Sequence, residues 1–320
     1  MPRPIVFVAR QIPDSGLDLL REHAEVRLHQ GSLPPSRDEL LHQVGDCDGI
    51  LSLLSDRIDA EVMDAAGDQL KVISNFAVGY NNIDVQEARH REIAVGNTPD
   101  VLTQATADLA VALILATARR IREAWQDVTA GRWHTWEPTG WQGVELQEKT
   151  LGIVGMGRIG EAVASIMHGG WNMKIQYTAR STKSLPSHLE AAHVELETLL
   201  ATSDVVSLHV PLSSQTEKLI GQEQLNRMKP NAILVNTARG EIVDQDALAQ
   251  ALDQKKILGA GLDVCTPEPL PTDNPLLKLD NCLVLPHIGS ATVTARNAMA
   301  TRAAENLIAG LDRRPLPYAV

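Results

Sequence analysis

The chain has 320 residues, of which 44% are hydrophobic and 22% charged, with a formal charge of −11 at neutral pH. This length favours two domains of ordinary size, each able to bury a core. Scattered acidic residues without a basic stripe exclude a nucleic-acid or anionic-membrane binder, so an anionic ligand would need a local positive group in a cleft.

The opening MPRPIVFVAR has no sustained apolar region and reads as a first strand, Ile5 to Ala9, not as a leader. Gly49 to Leu53 and Val72 to Ser74 read as further strands. Between them SGLDLLREH and SRDELLHQV read as helices, with Ser15 and Ser36 as N-caps. This first unit ends near Asn97-Thr98-Pro99. The pattern then predicts one long helical stretch from Leu102 to about Ala130. Its apolar run, LAVALILATA, is far short of the ~20 residues that span a bilayer, and predicts a buried helix. Four of the five tryptophans lie between Trp125 and Trp141, a clustering expected where large aromatics bury area at an interface or core.

The segment LGIVGMGRIGEAVA, residues 151–164, reads as strand, turn and helix. Gly155, Gly157 and Gly160 hold the G-x-G-x-x-G spacing, and Ile159, Ala162, Val163 and Ile166 form an apolar helix face. The first glycine permits the turn, the second lets backbone approach a pyrophosphate, and the third lets helix and strand pack closely. The open N–H groups of the helix would face the phosphates. Strands are expected at Lys174 to Tyr177, Val205 to Val210, Ala232 to Asn236, Leu258 to Asp263 and Cys282 to Leu285. Alternation of strand and helix indicates α/β architecture with parallel sheets. The last helix, in ATVTARNAMATRAAENLIAG, is expected to cross back and complete the first unit. Cys47, Cys265 and Cys282 lack zinc or redox spacing and read as reduced structural thiols, with the cytoplasm as default compartment. No metal is expected, and His134, His168, His188 and His193 read as solvated.

Arg239 in NTARGEIVD, Glu268 in DVCTPEPLP and His287 in LPHIGSAT each follow a strand end. In open α/β sheets the carboxyl ends of strands face the ligand crevice, so the three can converge. Each alone has a bland reading, as a surface charge, a solvated acid or a buried histidine. Their shared position beside a dinucleotide turn favours a site.

With the GMGRIG turn, these segments resemble the D-isomer-specific 2-hydroxyacid dehydrogenases over nearly the whole chain, and SNFAVGYNNID brings it nearest the glyoxylate/hydroxypyruvate reductases. The resemblance implies an α/β protein of two Rossmann-like/flavodoxin-like domains with parallel sheets and an interdomain active-site cleft. The substrate domain would be 1–98 and 289–320, and the NAD(P)-binding domain 99–288. It implies reduction of a small 2-keto acid, such as glyoxylate or hydroxypyruvate, to the D-2-hydroxy acid. Arg239 would grip the carboxylate, since its fork suits bidentate pairing. His287 would donate a proton to the ketone oxygen. Glu268 would bond the ring's other nitrogen and raise the histidine pKa. The N–H groups of Val78 and Gly79 would take the remaining carboxylate contacts, and Ser290 would assist His287. Gly155, Gly157, Arg158, Ile159, Gly160, Val210, Pro211, Thr237 and Asp263 would hold the cofactor, Asp263 near the nicotinamide amide. Trp141 is the candidate to reach a neighbouring subunit's site in a homodimer built on residues 101–146. Phosphite or D-3-phosphoglycerate oxidation, and a dinucleotide-sensing corepressor-like role, stand as alternatives.

One departure bears on the cofactor. A reader of the ribose 2′-hydroxyl is normally an acid about 20 residues past the glycine turn. Here the strand tip carries Arg180, Ser181, Thr182 and Lys183 instead. Arg180 and Ser181 suit a 2′-phosphate, so NADP(H) is favoured over NAD(H).

Overall fold

The protein, as a computed structural model, is described over residues 3–320. It divides into one unit of residues up to Leu102 with Ser290–Val320, and a second of Thr103–Gly289.

In the first unit β1 (Ile5–Val8), β2 (Glu25–Leu28), β3 (Gly49–Ser52), β4 (Val72–Asn75) and β5 (Ala94–Gly96) form a parallel sheet in the order β2-β1-β3-β4-β5. That is the flavodoxin-like order. Every residue of β3 and β4 is buried, as expected of central parallel strands covered on both faces. Phe7, Ile50, Val62, Ile73 and Val95 share one core. The closing helix Val293–Leu311 belongs to this unit. It approaches closely because its partners are small: a Cβ on Gly16 would meet Ala300 O at 2.5 Å, and one on Gly310 would meet Val72 Cβ at 2.5 Å.

Two expectations for this unit need correction. Ser36 does cap its helix, in a capping box with Glu39. Ser15 does not: the cap position is Pro13, two residues earlier, the helix runs Asp14–His23, and the Ser15 hydroxyl donates to Asn297 O instead. Strands β2 and β5 add to the three expected. Neither leaves a clear pattern, because β2 is not fully buried and β5 has only three residues.

The second unit holds β6 (Thr150–Val154), β7 (Lys174–Thr178), β8 (Ala191–His193), β9 (Val205–Leu208), β10 (Ile233–Asn236), β11 (Gly259–Leu262) and β12 (Cys282–Val284). Their parallel order is β12-β11-β10-β9-β6-β7-β8. The chain runs outward from β6 to β8, then restarts on the other side of β6 at β9. The reversal between β6 and β9 is the switch point at which such sheets open a ligand crevice. The long helix expected from Leu102 is two helices, Thr103–Ala118 and Ile121–Thr129. Arg120 turns the chain between them in the left-handed region, φ 51°. The first is buried along Ala107, Ala110, Leu113 and Ile114, whereas the second has no buried residue. Among the described residues, no helix is long and apolar enough to cross a membrane.

Candidate active site

The glycine turn sits at the switch point. Gly155 has φ 100°, and a Cβ there would stand 2.7 Å from the carbonyl carbon of His209, just beyond β9. Only glycine combines that conformation with that proximity. A Cβ on Gly160 would strike the Gly155 carbonyl oxygen and lie 2.9 Å from Ile153 Cγ2, so the third glycine closes helix onto strand. The helix Arg158–Trp171 begins with no side-chain cap on Gly157. Among the described residues, nothing lies within 4 Å of where a Gly157 Cβ would be. Thr237 Oγ1, past β10, is buried without a hydrogen-bond partner among the described residues. An uncapped helix start, open space before it and an orphaned hydroxyl suit a dinucleotide. Val210 lines the same turn, its Cγ1 2.8 Å from the Gly155 Cβ position, and the Pro211 carbonyl accepts from the Thr216 hydroxyl at 2.6 Å. Arg158 and Ile159 form the first turn of the helix.

The acid–base pair stands on neighbouring strands. His287 Nδ1 lies 2.8 Å from Glu268 Oε2, while Glu268 Oε1 accepts the Cys265 N–H at 3.0 Å. An ionised carboxylate only accepts, so Nδ1 carries the proton and Nε2 is left for chemistry. Burial pushes the Glu268 carboxyl up, but the hydrogen bond and charge of His287, the Cys265 N–H and Arg239 outweigh it, leaving it below the usual range. The glutamate therefore remains an anion beside the ring.

Asp263 fixes the backbone that bears His287. Its carbonyl accepts the His287 N–H at 2.9 Å, and its carboxylate oxygens accept Ile288 N–H at 2.7 Å and Gly289 N–H at 2.8 Å. His287 is held at φ 53°, a region that non-glycine residues enter seldom and at a cost. Burial raises the Asp263 carboxyl above its usual value against the pull of those two N–H groups and His287. The sequence resemblance places Asp263 near the cofactor; its observed partners are all backbone.

Arg239 follows β10, one strand over. Asn236 turns the chain here, accepting the Ala238 N–H at 3.0 Å and donating to Arg239 O at 2.8 Å. Arg239 Nη1 donates to Ala238 O at 2.7 Å. Burial lowers the guanidinium pKa, opposed by Glu268 and Glu241, yet an arginine stays protonated in proteins. Gly240 has the Cys265 backbone where its Cβ would be, which brings the loops after β10 and β11 together. Arg239, Glu268 and His287 thus occupy successive strand ends of one sheet. Burial first, then Glu268 and Asp263, push the Cys265 thiol up to about 11, in keeping with a packing role.

At the tip of β7, Arg180 and Ser181 are exposed. Their loop is tied down: Lys183 N–H donates to Tyr177 OH at 2.9 Å, and the His193 ring stacks on Tyr177 at 5.0 Å between centroids. His193 also bonds Ala179 O at 3.0 Å and Thr182 Oγ1 at 3.2 Å. Expected to be merely solvated, this exposed histidine is a structural tie. His168, likewise, bonds Met173 O at 2.9 Å. Trp141 donates its indole N–H to Asp127 at 2.7 Å. Trp125, Trp133 and Trp136 are 64%, 60% and 79% exposed.

Val78, Gly79 and Ser290 belong to the first unit. Val78 and Gly79 follow β4, where Asn97 Nδ2 donates to Val78 O and Asn75 Nδ2 to Gly79 O, each at 2.7 Å. Ser290 O accepts the Thr292 N–H at 2.8 Å ahead of the closing helix. Sequence reasoning gave no role to Asn75, although it lies inside the SNFAVGYNNID segment, or to Asn97. Among the described residues no cluster of three or more metal-ligating side chains occurs.

The chain is similar in sequence and in fold to proteins already known. Residues 111–289 match the family model for the D-isomer specific 2-hydroxyacid dehydrogenase NAD binding domain. A glyoxylate reductase of Korarchaeum cryptofilum is 50% identical over 308 residues, 96% of this chain and 92% of the relative. The crystal structure of the TT0316 protein from Thermus thermophilus is 48% identical, covers 99% of both chains and has a TM-score of 0.93. The NADPH-dependent glyoxylate/hydroxypyruvate reductase of Sinorhizobium meliloti, in complex with NADP and malonate, is 32% identical over 100% of this chain and 97% of the other, with a TM-score of 0.87.

Proposed function

The chain belongs to the D-isomer specific 2-hydroxyacid dehydrogenase family, and from that footing we propose how its residues divide the work and which dinucleotide it prefers. It is an oxidoreductase that reduces a small 2-keto acid of the glyoxylate or hydroxypyruvate kind to the D-2-hydroxy acid with a nicotinamide dinucleotide. The observation that carries the division of roles is the Glu268–His287 contact of 2.8 Å, with the half-buried Arg239 on the next strand end.

When bound, the reduced nicotinamide supplies the hydride. Arg239 grips the substrate carboxylate as a planar fork, and burial strengthens that attraction. His287 gives the proton on Nε2 to the carbonyl oxygen, while Glu268, bonded to Nδ1, keeps the ring oriented. Val78 and Gly79 N–H groups take further carboxylate contacts, and Ser290 assists. Asp263 holds His287 in its working conformation.

NADPH is the proposed reductant, because Arg180 and Ser181 stand exposed at the β7 tip where an acid would repel a 2′-phosphate. A homodimer is proposed through the helix Ile121–Thr129, whose Ile121, Trp125 and Val128 are all more than half exposed. Trp141 would act across that interface, and light scattering reads the state. Three free buried thiols suit a reducing, cytoplasmic compartment.

The test is oxidation of NADPH and of NADH with glyoxylate, hydroxypyruvate and pyruvate, for the wild type and for His287→Ala. Turnover with NADPH that exceeds turnover with NADH and is abolished in His287→Ala supports both readings. Turnover with NADH alone removes the 2′-phosphate reading, and undiminished turnover in His287→Ala removes the acid–base assignment.

A further inference from the structure

We infer that Asn97 and Asn75 are positioning residues that build a three-N–H cradle for the substrate carboxylate, with Tyr80 N–H as its third donor. This rests on the keto-acid reading above and goes beyond the two amides already assigned.

Three consecutive peptide units in the loop after β4 have their carbonyls clamped. Ala77 O accepts the Thr98 N–H at 2.9 Å, Val78 O accepts Asn97 Nδ2 at 2.7 Å, and Gly79 O accepts Asn75 Nδ2 at 2.7 Å. A trans peptide is planar, with its N–H pointing opposite its C=O. The clamped carbonyls therefore turn the N–H groups of Val78, Gly79 and Tyr80 away from the clamp. Among the described residues none of these three N–H groups donates to a protein acceptor. Successive free N–H groups of this kind bind anions.

The clamp is itself rigid. Asn75 is fully buried, and its Oδ1 accepts from Ser52 Oγ at 3.0 Å while its amide also reaches Asn82 Oδ1 at 3.0 Å. Asn82 in turn donates to Leu53 O and Asp56 O. Asn97 is held through its own backbone, its N–H on Tyr318 O at 3.1 Å and its carbonyl on Asn306 Nδ2 at 2.9 Å. Only the Asn97 amide side chain is committed to the loop, so its removal frees one peptide unit and leaves the strand ends in place. With the Val78–Gly79 peptide free to rotate, the Gly79 N–H is no longer fixed toward an anion.

The experiment compares wild type with Asn97→Ala, measuring KM and kcat for glyoxylate, KM for NADPH, thermal midpoint and calorimetric binding of oxalate as a planar carboxylate probe. The expected result is a glyoxylate KM raised about tenfold and oxalate binding weakened by a similar factor, the scale of one lost well-placed donor. The NADPH KM and thermal midpoint stay near wild type. If Asn97→Ala does not fold, Asn97→Asp keeps the shape while offering no donor to Val78 O, and is read in its place. A variant that loses kcat, NADPH affinity and stability together, with an unchanged glyoxylate KM, overturns the cradle and makes Asn97 merely structural. If the wild type reduces no keto acid, oxalate binding decides: weakening in Asn97→Ala keeps an anion cradle and discards the keto-acid reading, while equal binding discards both.

Discussion

The carbonyl of Asp263 holds the N–H of His287 at 2.9 Å, and the Asp263 carboxylate holds the two N–H groups that follow. One buried residue thus fastens three consecutive peptides and keeps His287 at φ 53°. Asp263→Asn would turn one carboxylate acceptor into a donor facing an N–H. Activity is expected to fall about 10-fold to 100-fold, as for a misplaced general acid. Retained cofactor affinity, measured by NADPH titration, would place the loss in the His287 loop; lost affinity with retained turnover at saturation would return Asp263 to a cofactor role.

Glu268 sets a pH dependence of stability. Its native pKa lies below the unfolded value, so the contribution is complete above about 4.3 and is lost as pH falls through the lower native value. Glu268→Gln does not titrate. The gap in thermal midpoint between wild type and this variant should narrow between about pH 6 and pH 3. A gap independent of pH would mean that the carboxylate charge does not stabilise the fold.

His209 acts in the same direction by the opposite chemistry. Burial holds its imidazole down to about 4, against about 6.5 in an unfolded chain. Below that value the unfolded chain binds a proton the native protein refuses, so stability is full above about 6.5 and falls toward pH 4. His209→Gln should flatten the wild-type decline in thermal midpoint from about pH 7 to pH 5. Parallel curves for the two proteins would refute the neutral ring.

Gly155→Ala forces a Cβ to 2.7 Å from His209 at φ 100°. Left-handed strain alone costs about 1–2 kcal/mol, before any movement of β9. Cofactor affinity should drop at least about tenfold and the thermal midpoint by several degrees. Wild-type NADPH binding in this variant would show that the turn tolerates opening.

Arg180→Asp tests dinucleotide choice. Losing a charge-assisted contact and gaining a repulsive one should lower kcat/KM with NADPH by about 10-fold to 100-fold. The value with NADH should hold or rise. Equal losses with both cofactors would mean that Arg180 supports the loop and does not read the phosphate.

The three strand-end residues were legible because each chemistry sits in a short contiguous segment, and the glycine turn because its spacing reports a backbone shape. The clamps were not. Asn97 bonds Val78, and Asp263 bonds residues 24 to 26 positions on, pairings that exist only once the sheets have formed. The break at Arg120 also escaped, because good helix-forming residues continue through it and only the left-handed backbone there ends the first helix. Strand β5, with three residues, falls below the length at which alternation can be read.

Gly240 leaves no room between its own Cα and the Cys265 backbone. The segment bearing the arginine and the segment bearing the glutamate are consequently a single inheritable part. A designer transplanting this chemistry onto another parallel sheet would have to move residues 236–240 and 263–268 as one graft, and a library that varied either segment alone would mostly sample broken frames.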